Sequence, residues 1–233
     1  MTLQLWVRVH REVKIPKKPQ AAATPQLLRR VNAQAVLAAV RGTEVATGTE
    51  LMAKTGLTRA SVIAVCEDLI RRGWIQELDA PRKDASAAGS PQKGRPARRF
   101  ELRARAGVVL GIDIGAATTT AAVADLRGTV LGSASGSFRA ADIPAAERVS
   151  VVDHACREAL EAAGEAPGKV LAVGAGIAAP VDRGGKVLAA QHFWSLFDVG
   201  LRSALQDLHG WTVLLENDAN LAALGERWRG SGA

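Results

Sequence analysis

The chain has almost no cysteine. Cys66 and Cys156 are its only two, far apart and outside any CxxC spacing. That excludes a zinc motif built on cysteine pairs and a disulfide framework, and it fits a reducing compartment, so a cytoplasmic protein is expected. Long apolar runs are also missing. None approaches the ~18 residues of a membrane-spanning helix, so no membrane partner is expected. The opening MTLQLWVRVHREVKIPKKP is not a signal peptide, because its apolar stretch is short and alternates with polar residues.

What is present is core-forming residues and positive charge. The 233 residues are 48% hydrophobic, enough for one large domain or two small ones. Thirty Lys and Arg face 23 Asp and Glu, a formal +7. Residues 1–105 hold 20 basic and 9 acidic side chains, and residues 106–233 hold 10 and 14. A basic first half followed by an acidic second half points to a head that meets a polyanion.

Residues 43–73, TEVATGTELMAKTGLTRASVIAVCEDLIRRG, read as two helices joined by a tight turn. Thr49 is placed to cap the first, and Gly56 supplies the left-handed exit. Thr58 caps the second, on which Val62, Val65, Cys66 and Leu69 form one apolar stripe. Thr58, Arg59 and Ser61 lie at its polar N-terminal end. Such a pair is a helix-turn-helix, whose second helix enters the major groove by that end. An ordinary helical hairpin inside a larger domain would carry the same residues.

Residues 1–23 alternate apolar and polar up to Val9 and are then broken by Pro16 and Pro19, so a mobile leader is expected. Thr24-Pro25 starts a helix with Leu27, Leu28, Val31, Ala35 and Ala38 along its inner face. After the helical pair, residues 74–78 and 99–102 read as strands around a linker-like basic loop, the pattern of a wing. In that loop Lys93 and Arg95 are candidate DNA contacts. Gly94-Arg95-Pro96 is a narrow extended backbone suited to an A·T-rich minor groove. A solvated basic tether is the alternative. Beyond residue 106, strands are expected at 108–114, 118–125, 129–135, 169–177 and 212–215. Helices are expected at 145–163, around Leu201–Leu208 and after Asn217-Asp218. Three hairpin-linked strands, a crossover helix and two further strands suggest the layered α/β lobe shared by actin, Hsp70 and sugar kinases.

The order of these signals, with the phrases LRRVNAQAVL, AKTGLTRASV, GRPARRFEL, GIDIG, GAGIAAPVD and ENDANLAALGE, resembles the ROK family of bacterial sugar repressors and sugar kinases. The resemblance covers residue 24 onward. It implies an α+β chain: a winged helix-turn-helix at 24–105, then one actin-like (ribonuclease H-like) ATPase lobe at 106–233. It implies sugar-binding roles for Asn217 and Asp218, the latter standing where the kinases carry their general base. A helix cap is the other use of an Asn-Asp pair. Asp113, Gly115 and Thr118 stand where the kinases hold phosphate.

Here that turn reads Asp113-Ile114-Gly115-Ala116-Ala117-Thr118. A methyl group replaces the kinases' second glycine and their lysine is absent. The kinases' Pro-Gly in the sugar-side loop is Ala178-Ala179. The family's second lobe, with its zinc ligands, is also absent, so a truncated or short form is expected. Such a form is expected to carry no metal, no cofactor and no enzymatic activity, and to show little or no sugar response by itself. The expected function is a DNA-binding transcriptional regulator, a repressor of carbohydrate genes. Its partners are duplex DNA and a small sugar, with a homo-oligomer in the full-length form. A carbohydrate kinase or its inactive relic is the alternative, and a lobe that only dimerises is a third.

Overall fold

A helix whose first amides are capped by a hydroxyl can start abruptly, and the first helix does. In the computed structural model, which describes residues 24–79, 97–140, 143–188 and 200–230, α1 spans Pro25–Arg41. The Leu27 amide donates to Thr24 Oγ1 (3.3 Å) and proline occupies the first turn. Its buried face carries Val36 and Val40, whereas Leu27, Leu28 and Val31 are each about half exposed. The expected inner face is therefore corrected. At 3.6 residues per turn, Leu27 lies about 180° and Val31 about 140° round the helix from Val36.

A two-residue strand, β1 (Ala46–Thr47), leads into α2 (Gly48–Thr55). The cap is Thr47 rather than the expected Thr49. Only Thr47 has a glutamate three residues on, so a reciprocal box can close. The Thr47 amide donates to Glu50 Oε2 (2.7 Å), and the Glu50 amide donates to Thr47 Oγ1 (3.2 Å). These bonds hold the Glu50 carboxyl below its usual range. Gly56 ends α2 at φ +68°, a conformation that glycine adopts without a Cβ clash. Next, α3 (Arg59–Arg71) is capped by Thr58 and buries Val62, Cys66 and Leu69, as the stripe requires. Strands β2 (Ile75–Leu78) and β3 (Arg99–Leu102) close an antiparallel sheet of order β1-β3-β2. Phe100 lies across from Ala46, and Leu102 across from Ile75. These residues form one hydrophobic core with α1, α2 and α3. The expected leader at 1–23 and the loop with Lys93 and Arg95 lie outside the described residues.

A second core begins at β4 (Val108–Ile114), where every other residue is buried. Strands β5 (Thr118–Asp125) and β6 (Val130–Ser137) follow as antiparallel hairpins. Helix α4 (Ala145–Ala163) crosses over to β7 (Val170–Ile177), parallel to β4. Helix α5 (Leu201–His209) leads to β8 (Val213–Asn217), parallel to β7, and α6 (Asp218–Arg229) follows directly. The sheet order is β6-β5-β4-β7-β8. One face of the sheet buries the inner residues of α4 and α5. The other face is largely open and carries small residues at Gly111, Ala122, Ser133 and Gly174, in one cross-strand row.

Two tests follow. A Cβ on Gly132 would sit 2.5 Å from the Ala163 nitrogen and 2.8 Å from the Ala159 carbonyl oxygen, whereas one on Gly174 would meet nothing within 4 Å. Gly132→Ala is expected to destabilise by about 1–3 kcal/mol through overpacking, seen as a lowered Tm. Gly174→Ala should leave the Tm nearly unchanged. Burial also pushes the thiols up from 9.0, Cys66 to about 11 and Cys156 to about 12. Both should resist alkylation in the native chain at pH 8 and react on unfolding. A folded-state pKa raised above the unfolded value gives stability that is complete below pH 9 and lost as pH rises toward 11–12. Urea midpoints measured across that range check the sign.

Candidate functional site

Parallel strands leave their C-terminal ends at one edge of a sheet, where the chain turns into loops and ligands commonly bind. Here β4, β7 and β8 end together. Ser135, Thr120, Asp113, Gly176 and Glu216 are register partners across all five strands, so they share one face near that edge. Thr120 and Ser135 hydrogen-bond through their hydroxyls at 3.0 Å. Gly176 is the low point of the row. A Cβ there would lie 3.6 Å from Asp218 Cα and 3.3 Å from the Leu221 side chain, so the missing side chain lets α6 start close against β7.

Asn217 caps α6. Its Oδ1 accepts from the Ala219 amide (3.1 Å) and the Asn220 amide (3.3 Å). Its Nδ2 donates to the carbonyl of Ala179 (3.3 Å), tying the Ala178-Ala179 loop to the strand end. The cap reading of this residue is therefore present in the structure, with one Nδ2 hydrogen left for another acceptor. Asp218 is half-buried, and its Oδ1 accepts from the Ala219 amide (2.7 Å). Among the described residues, its Oδ2 has no hydrogen-bond partner. Glu216 accepts from the Asn217 amide (2.7 Å) and from Asn220 Nδ2 (3.0 Å), and these bonds hold it below the usual carboxylate range. Asp113, Glu216 and Asp218 thus make an acidic edge flanked by hydroxyls. Such an edge accepts hydrogen bonds from a neutral polyol and repels an anion.

At the β4–β5 turn the Gly115 amide donates to the Thr118 carbonyl (2.9 Å), which places Asp113, Gly115 and Thr118 together. Behind the turn lies Arg148, 1% exposed, its guanidinium 4.0 Å over the Phe138 ring. It donates to the carbonyls of Gly115 and Ala116, each at 3.5 Å, and burial holds its pKa below the ordinary guanidinium value. Sequence reasoning missed Arg148, because an arginine on a mixed helix reads as surface. Thr120 and Ser135 were missed for a similar reason: only strand pairing brings them beside Asp113.

At the other end of the chain, Thr58 and Arg59 are exposed and Ser61 is half-buried at the N-terminus of α3. Thr58 Oγ1 accepts from the Ser61 amide (3.3 Å) and meets the Ser61 hydroxyl at 3.0 Å. Three other arginines of the head are paired with carboxylates. Arg98 forks onto Glu77 (2.8 and 2.7 Å) and reaches Glu67 on α3 (3.3 Å), pinning β3 to both. These carboxylates, Glu77 foremost, raise its pKa. Arg71 and Arg72 both pair with Asp68. Arg59 has no ion-pair partner among the described residues.

Comparisons with known proteins bear on both ends. A family model described as "ROK family" matches residues 109–233. A xylose repressor from Caldicellulosiruptor bescii is 23% identical over 206 residues, covering 88% of this chain and 49% of its own. A solved ROK family transcriptional regulator, described as a homologue of the E. coli MLC protein, superposes with a TM-score of 0.66 at 19% identity. That match covers 88% of this chain and 50% of the other, and it shows the fold. A ROK family glucokinase from Streptomyces griseus, solved with glucose and AMPPNP, is 30% identical over 55% of this chain and 38% of its own, at a TM-score of 0.47. The chain spans about half the length of the curated relatives it matches. The family model spans residues 109–233, more than half of the 233-residue chain, and the chain belongs to the ROK family.

Proposed function

We propose that the chain is a DNA-binding transcriptional repressor whose body holds a small neutral sugar, with xylose the first to test. The single observation that carries the reading is the pairing of the two ends. An exposed Arg59 at the capped N-terminus of α3 sits in a basic head, and the Asp218 carboxylate opens on the acidic edge of the body. We read residues 24–105 as a winged helix-turn-helix: α2 and α3 joined at Gly56, with β2, β3 and the loop holding Lys93 and Arg95 as the wing. Residues 106–233 are the actin-like lobe. The xylose repressor matches across both parts, which supports this division of labour.

A kinase is the second reading, because Asp218 keeps an oxygen with no hydrogen-bond partner among the described residues where a base would act. Against it stand the Ala116 methyl at the β4–β5 turn and the absence of the kinases' lysine there. The turn does not fit a nucleotide's phosphates, so we assign no phosphoryl transfer.

Four measurements test this. Fluorescence anisotropy on labelled duplex should show binding that weakens steeply as salt rises from 50 to about 200 mM, as counterion release requires. Arg59→Ala should cost about 1–3 kcal/mol on a selected site and less on random duplex. Equal losses would reduce Arg59 to a phosphate contact. Saturation-transfer NMR should detect xylose at millimolar concentration, with the signal lost in Asp218→Ala. Mg²⁺-ATP with the same sugar should yield no sugar phosphate, and turnover that depends on Asp218 would restore the kinase.

A further inference from the structure

The two hydrophobic cores meet at one turn, and that turn is built to hold something. Between β5 and β6, the buried Asp125 carboxylate accepts from the amides of Arg127 and Thr129, each at 2.9 Å, and Gly128 takes φ +83°. This fixes the backbone on both sides of Arg127. Leu126 packs against the head's core, and its amide donates to the carbonyl of Ala104 (3.0 Å). The Arg127 side chain then reaches the end of α1. Its Nη1 donates to the carbonyls of Arg41 (3.2 Å) and Thr43 (2.9 Å), and its Nη2 to that of Glu44 (3.3 Å).

The chemistry suits the place. The last carbonyls of a helix lack intrahelical donors and carry partial negative charge. A planar guanidinium with five N–H groups can serve the last of them, that of Arg41, together with the Thr43 and Glu44 carbonyls just beyond the helix, which an ammonium on a flexible stem does less well. A second contact converges on the same residue. The Arg41 guanidinium lies 5.6 Å from the ring centroid of Trp228, in the last turn of α6. Helix α6 begins at Asp218, so one rigid rod of about 18 Å joins the acidic edge to the head. Beside the grip is an open groove of about 370 Å³, lined in part by Gln76, Glu101, Arg103 and Arg127, so the head has room to tilt if it is released.

We propose that Arg127 is the residue that positions the head on the body: it grips the C-terminal turn of α1 from one side while Trp228 holds Arg41 from the other. The grip sets where α3 points relative to the body. It involves neither the reading end of α3 nor the residues of the acidic edge.

The test is a spin-label distance measurement on the full chain, with labels at the exposed positions Gln34→Cys on α1 and Glu158→Cys on α4, the native thiols being buried. The parent should give one narrow distance. Arg127→Ala should at least double the width of the distribution, Arg127→Lys should fall between, and Trp228→Ala should broaden it less than Arg127→Ala. Gly136→Ala, near the end of β6 remote from the grip, where a Cβ would meet the Val151 side chain at 2.7 Å, should leave the width unchanged. A folded Arg127→Ala or Arg127→Lys chain that keeps the parent's narrow distance overturns the proposal. Broadening in Gly136→Ala equal to that in Arg127→Ala does so as well.

Discussion

A helix that ends against another part of the molecule must find donors for its last carbonyls; Gly42 and Thr43 serve those of Ala38, Ala39 and Val40, and Arg127 serves that of Arg41 together with those of Thr43 and Glu44 just beyond the helix. Much of the architecture depends on that requirement. The β5–β6 turn has to be rigid to present the guanidinium, and Asp125 makes it so by accepting two amides. The turn also has to lie against the head, and Leu126 brings it there by joining the head's core. Among the described residues, Leu126, the forked Arg127 and the Arg41–Trp228 contact hold the two cores at a defined junction.

Charge is arranged by the same economy. In the head, Arg98, Arg71 and Arg72 are tied to carboxylates, whereas Arg59, exposed at the N-terminal end of α3, has no ion-pair partner among the described residues. In the body, the strand ends gather Asp113, Glu216 and Asp218, with glycine at 176 allowing α6 to come close. On the proposed reading the head meets a polyanion and the edge of the body accepts hydroxyl groups.

Much of this was legible in residue order. Period-two burial in β4, the Thr24-Pro25 start, Gly56 and the stripe Val62-Cys66-Leu69 are local signals, and they fold as read. Where local signals compete, the reading slipped. Thr47 and Thr49 both offer a capping hydroxyl, and Glu50 at the third position decides for Thr47. On α1, leucines outweighed valines by eye, yet Val36 and Val40 face the partner helices. Contacts made only by long-range packing left no trace in the sequence. Arg148 beneath the β4–β5 turn, the Thr120–Ser135 pair beside Asp113, and Arg127 at the carbonyls of α1 are of this kind. Asn217 was read both as a cap and as a sugar ligand. The cap is in place, and the remaining donor leaves the second role to experiment.

The central claim is that the head reads DNA by the N-terminal end of α3 while the body stays outside the contact. Hydrogen–deuterium exchange of the full chain, with and without saturating duplex, tests it most directly. The account predicts slowed exchange in peptides covering residues 57–63, with the strands of the acidic edge unchanged. Protection confined to the body, with residues 57–63 exchanging as in the free chain, would contradict it.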